Sequence, residues 1–107
     1  MSTLALVAAA ALRLSSGQDA GTDARDAGPD KIDVSGYPAE QKANYELFRQ
    51  KCSKCHSVAR AVNSKFTAVE WKRYIKRMVR RPNAGVTEEQ SDAIFEFLKF
   101  YSTKLGL

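Results

Sequence analysis

The chain has 107 residues, 44% hydrophobic and 27% charged, with a net charge of +5, which makes one globular domain the expectation. No apolar run approaches the roughly 18 residues of a membrane-crossing helix, which excludes a helical span. The charge is unevenly divided: residues 1–36 net −2, whereas residues 37–107 net +7.

Residues 4–12, LALVAAAAL, have the length of a signal-peptide apolar core, and Ser15, Ser16 and Gly17 supply small residues for cleavage. Residues 1–17 are therefore expected to be a signal peptide. Two features fit this less well: Met1, Ser2 and Thr3 include no Lys or Arg, and Arg13 interrupts the apolar run. A short apolar helix that stays on the protein is the alternative. Residues 18–36 carry five Asp, repeat Asp-Ala-Gly and offer only Ile32 and Val34 as sizeable apolar side chains. Such a segment buries too little apolar surface to offset its ordering entropy, so a flexible acidic linker is expected. An acidic tail folded back on the basic domain is the second reading.

Residues 37–107 remain, and a core of this size needs a staple such as a disulfide, a metal or a cofactor. The pattern is helical, with no sustained alternation. A first helix is predicted over 38–52, opened by Pro38, with Tyr45, Phe48 and Cys52 on one face. Residues 57–66 read as an irregular loop. A second helix starts at the capping box of Thr67 and Glu70, aligns Trp71, Tyr74, Ile75 and Met78 in one stripe, and stops at Pro82, Asn83 and Gly85. A third starts at the capping box of Thr87 and Gln90 and buries Ala93, Ile94, Phe97, Leu98 and Tyr101.

Both cysteines and the only histidine lie in the five residues CSKCH, which are Cys52 to His56. C-x-x-C-H is the attachment signature of c-type haem. Two thiols, Cys52 and Cys55, reach the two vinyl groups of one porphyrin, and His56 then supplies the proximal imidazole to the iron. Structural zinc wants four ligands, and no further Cys or His exists. Three ligands this close in sequence rarely form a catalytic zinc site. A thioredoxin-like dithiol expects βαβ context, and a plain disulfide leaves His56 unexplained. For the sixth position, thioether sulfur is a usual partner of His. Met1 lies in the leader, which leaves Met78 as the candidate. A Met on an apolar stripe is also ordinary core filling. A Lys such as Lys76, or an open or water-filled position, are the alternatives.

Residues 44–56, NYELFRQKCSKCH, resemble the start of a class I c-type cytochrome, with an aromatic residue, Phe48, four before the first Cys. AIFEFLKFY, residues 93–101, resembles that family's terminal helix. The resemblance covers residues 39 to about 103. It implies an all-α, cytochrome c-like fold of about three helices around one covalently bound haem c, preceded by a disordered N-terminal segment. It also implies a helix crossing that brings Tyr45 or Phe48 against Phe97 or Tyr101, and electron transfer with His/Met ligation rather than an enzymatic reaction. W-x-x-Y-x-x-x-M, from Trp71 to Met78, is similar to small monohaem subunits of bacterial oxidoreductases, including those of sulfite dehydrogenases. Many class I members carry the ligand Met in an extended loop, whereas Met78 falls inside a predicted helix. Either the helix ends early or the sulfur comes from a helical turn. A haem sensor or small peroxidase-like enzyme with an open sixth position is the alternative function. Attachment of haem c resembles a periplasmic process, which adds weight to export.

Lys51, Lys54, Lys72, Arg73, Lys76, Arg77, Arg80 and Arg81 crowd the segments around the motif. A basic face of this kind steers encounter with a redox partner bearing an acidic docking surface. A solvated face that only keeps the protein soluble is the bland alternative, and nucleic acid is not the expected partner. Trp71, Arg73 and Tyr74 are candidates to hydrogen-bond haem propionates, with core packing or solvation as the alternative.

Overall fold

The computed structural model describes residues 23–53 and 57–107. The expected signal peptide, and Lys54, Cys55 and His56 of the motif region, lie outside the described residues. Among the described residues every regular element is helical: α1 (Ala39–Cys52), α2 (Ala59–Val62), α3 (Ala68–Val79) and α4 (Glu88–Lys104), preceded by a 3-10 turn (Ala24–Ala27). The expected all-α class is met, with one short helix more than the pattern suggested.

Each long helix begins where its sequence dictates. Pro38 takes the N-cap of α1, where its missing N–H costs nothing, and Glu40 sits in the first turn. Thr67 and Glu70 close a reciprocal capping box on α3, and Thr87 and Gln90 do the same on α4. Asn83 and Gly85 adopt positive φ, 64° and 67°, and turn the chain between α3 and α4.

Phe97 on α4 is the hub of the core. Its ring lies 5.1 Å from Tyr45 and 5.8 Å from Phe48, both on α1. Tyr37 and Tyr101 flank it at 6.2 and 6.3 Å. α3 is joined to α4 differently. Trp71, with no exposed surface, donates its indole N–H to Ser102 Oγ at 2.8 Å, and that hydroxyl donates to the Phe66 carbonyl at 2.6 Å. Trp71 is thus committed to the core and is not a candidate for propionates.

Two segments differ from the sequence expectation. The loop expected over 57–66 contains α2, whose Ala59, Ala61 and Val62 are buried. The linker expected over 18–36 is, in its described part, packed on the helical body. Asp26 receives two hydrogen bonds from Arg60, at 2.6 and 3.0 Å. Arg25 donates to Ser64 at 2.8 Å. The Asn63 amide reaches the carbonyls of Arg25 and Pro29 at 3.0 and 2.9 Å. Further along, Ile32 N–H donates to Tyr45 Oη at 3.0 Å, and Ile32 and Val34 pack against the core. The acidic residues therefore hold this segment by pairing with specific groups, which average composition does not register.

Candidate functional site

Between the helices lies an apolar cleft. Phe48 and Cys52 of α1 form one wall, and Tyr74, Ile75, Met78 and Val79 of α3 another. Ile94 and Leu98 of α4 form the floor, Val58 and Ala61 close the α2 side, and Ala84 and Val86 border the mouth. Lys51 Nζ, at the rim, donates to the Gly85 carbonyl at 3.1 Å and ties α1 to the α3–α4 turn.

The sequence places the heteroatoms of the cleft by helical spacing. Cys52 follows Phe48 by four residues, so both share the inward face of α1. Met78 follows Trp71 by seven, so it continues the buried stripe of α3 to its last turn. α3 extends to Val79, so the helix does not end before Met78, whose side chain leaves from its last turn. Burial pushes the Tyr74 phenol above its ordinary range, and nearby Cys52 adds to the shift.

Of the four expected site residues, Cys52 and Met78 are brought to the same cleft from facing helices. Cys55 and His56 lie outside the described residues, which stop at Ser53, one residue after Cys52, and resume at Ser57, one residue before Val58. Both Cys52 and Val58 line the cleft. Among the described residues there is no group of three His, Cys, Asp or Glu that could hold a metal ion.

The residues fit a flat apolar group with iron at its centre. The lining is almost wholly carbon, with a thiol position on one side and a thioether on the other. The cleft encloses about 600 Å³ of non-atom space, open solvent at the mouth included.

The basic residues expected around the site divide. Lys72, Arg73, Lys76 and Arg77 stand exposed on the outer side of α3, and Arg80 and Arg81 continue that surface. Arg77 also lies 5.8 Å above the Tyr74 ring. Lys51 is held at the cleft rim, and Lys54 lies outside the described residues. No described helix is long and apolar enough to cross a membrane. Sequence reasoning missed the α2 wall. Its one signal is the helical spacing of Val58, Ala61 and Val62 in SVARAV, a single turn and too short to mark a helix. No protein-family model, curated protein or solved structure matches the chain.

Proposed function

We propose that the chain is a monohaem c-type cytochrome that moves one electron at a time, as a carrier or as the haem subunit of an oxidoreductase. One observation carries the reading. The C-x-x-C-H segment opens on Cys52 and is followed two residues later by Val58, both lining one apolar cleft, and Met78, the one methionine besides Met1, lines that cleft from another helix.

Haem c, when bound, would supply the iron that accepts and releases the electron. Cys52 and Cys55 would hold the group covalently, and His56 and Met78 would offer its iron a nitrogen and a sulfur. Fixed in the last turn of α3, Met78 sits where its backbone is held: its carbonyl accepts the N–H of Arg80 and, at 3.2 Å, that of Arg81. A ligand on a hydrogen-bonded turn moves little when charge changes. Apolar residues exclude water, and the soft sulfur favours ferrous iron. The cations of α3 form a face for an acidic redox partner, with steering that weakens as salt rises. The haem reading also places the protein outside the cytoplasm.

An optical spectrum tests this. The protein is expressed for export together with c-type maturation proteins, as wild type and as Met78→Ala. Expected are sharp ferrous c-type bands in both, and a weak far-red ferric sulfur-to-iron band in the wild type alone. Absence of covalent haem sinks the proposal. Covalent haem with a high-spin wild-type spectrum removes Met78 as ligand and turns the reading toward sensing or catalysis.

A further inference from the structure

The outer side of α3 carries charge that the molecule itself does not balance. Lys72, Arg73, Lys76, Arg77, Arg80 and Arg81 are all exposed. Among the described residues the ion pairs use Arg25, Arg60 and Lys99, and none uses a cation of this face. The one acid in α3 is Glu70, whose carboxylate accepts the Thr67 N–H at 2.9 Å in the capping box. Arg73 acts on that carboxylate without forming an ion pair with it. Elsewhere along the face the helical neighbours of each cation are cations. Lys72 and Lys76, Arg73 and Arg77, and Lys76 and Arg80 each stand four residues apart. Like charges at that spacing destabilise a helix by about as much as opposite charges stabilise it.

The helix dipole favours Lys76 and Arg77 in the last turn but offers nothing to Lys72 and Arg73 in the first half of α3. Repulsion is heaviest on the last turn, where Lys76 meets Lys72 on one side and Arg80 on the other. Met78 leaves from that turn. Three such pairs together shift the equilibrium for opening it by about fivefold. An anionic surface laid along the face removes that load. The apolar side of α3 is spent on the core, with Trp71 and Ile75 buried, and the outer side offers only Val69 for insertion into a membrane. Its aromatic residues, Trp71 and Tyr74, belong to the inward stripe, which leaves no ring on the outer side for a nucleic-acid base to stack on. Carboxylates suit the face better, since each guanidinium takes one in a two-pronged hydrogen bond.

We propose that an acidic redox protein binds along the outer side of α3 and, by neutralising it, tightens the turn that carries Met78. The link between surface charge and the turn stands on α3 alone, while its action on an iron ligand rests on the haem reading above.

Hydrogen exchange at the amides of Met78, Val79 and Arg81 in the full chain tests the link. Lys76→Gln keeps the helix propensity and removes two of the repelling pairs, so exchange there should slow by about threefold. Lys104→Gln on α4 should leave it unchanged. Poly-L-glutamate at about 0.01 M salt should slow exchange in the wild type by about fivefold, and the effect should fade near about 1 M salt, where the screening length is about 3 Å. Unchanged or faster exchange in Lys76→Gln overturns the link, because the dipole then outweighs the repulsion. At about 0.15 M salt and equal anionic charge, stronger protection by phosphatidylglycerol vesicles or by duplex DNA than by poly-L-glutamate overturns the choice of a protein partner.

The action on the ligand is read separately, in the ferric haem-bearing protein. Added imidazole displaces the sulfur, and loss of the far-red band gives the rate. Poly-L-glutamate and Lys76→Gln should each slow displacement by about the factor seen in exchange. Slower exchange with unchanged displacement overturns the action on the ligand. A protein without covalent haem, or a wild type without the far-red band, fails the haem reading and with it the action on the ligand, whereas the exchange result still decides the link between surface charge and the turn.

Discussion

Replacing Ser102 with Ala removes one oxygen and disconnects three segments. Ser102 is 2% exposed, and its hydroxyl both accepts from Trp71 and donates to Phe66. Ser102→Ala leaves the indole N–H without a partner in a fully buried position, and leaves the Phe66 carbonyl without this donor. A stranded buried group costs about 1–3 kcal/mol, against about 1 kcal/mol for an ordinary hydrogen bond lost to water. The carbonyl is partly buried and recovers some of its loss, so the expected destabilisation is about 2–4 kcal/mol. At about 4–8 °C per kcal/mol in a domain of this size, Tm should fall by about 10 °C or more. Urea unfolding followed by far-UV circular dichroism measures it. A cycle with Trp71→Phe isolates the cause: once the indole donor is gone, Ser102→Ala should cost at least about 0.5 kcal/mol less. A cost of Ser102→Ala below about 0.5 kcal/mol, the range of an uninvolved surface site, would refute the view that this hydroxyl links α3 to α4.

The N-terminal segment packed on the helical body yields two further predictions. A Cβ at Gly28 would stand 2.6 Å from Asn63 Nδ2, and that amide is tied to three carbonyls, so it cannot swing away. Gly28→Ala should therefore cost about 1–3 kcal/mol in thermal melts, and most of this cost should vanish in an Asn63→Ala background. Persistence of the full cost there would point to a different cause. The second concerns acid. Hydrogen bonding from Arg25 holds the Asp23 carboxyl well below the usual carboxylate range, with Arg60 adding to the effect. The docked form therefore binds its proton less readily than the undocked chain, whose Asp titrates near about 3.9. The Asp23 contribution to docking is fully present above that pH and is lost as pH falls through the lower, docked value. Exchange at the Ile32 amide, corrected for intrinsic rates, should be flat from about pH 8 to about pH 5 and rise only in stronger acid. A midpoint near about pH 6 would contradict the assignment.

Much of the helical body is legible in the sequence because its determinants are local. The capping boxes of Thr67 with Glu70 and of Thr87 with Gln90 each span four residues, and the helices begin where they stand. The Trp71–Met78 stripe needs only the helical period. The site was half legible in the same way: spacing turns Cys52 and Met78 inward on their own helices. That those faces meet across one cleft depends on the crossing of α1, α3 and α4, which no local window contains. The packing of the N-terminal segment was legible only as a second reading, an acidic tail folded back on the basic domain, and its partners were not. Asp26 and Arg60 are 34 residues apart, and Arg25 and Ser64 39. A segment with two apolar residues resembles a linker until its partners are known. α2 escaped because a single turn presents too few residues for a period to stand out.

The aromatic hub has a consequence for the order in which the chain can close. Tyr45 and Phe48 precede the motif, and Phe97, the ring that buries them both, follows it by some forty residues. A ribosome delivers these residues in sequence, and a contact cannot form before both its ends exist. Until α4 has emerged, α1 has no cross-chain aromatic surface on which to settle, and Cys52 at its end remains on an open chain. Loop closure over this distance is also among the slower steps of folding. Under the haem reading the delay is useful: the attachment segment of the exported chain stays reachable by maturation machinery until α4 settles on α1, and the body shuts around the modified site last.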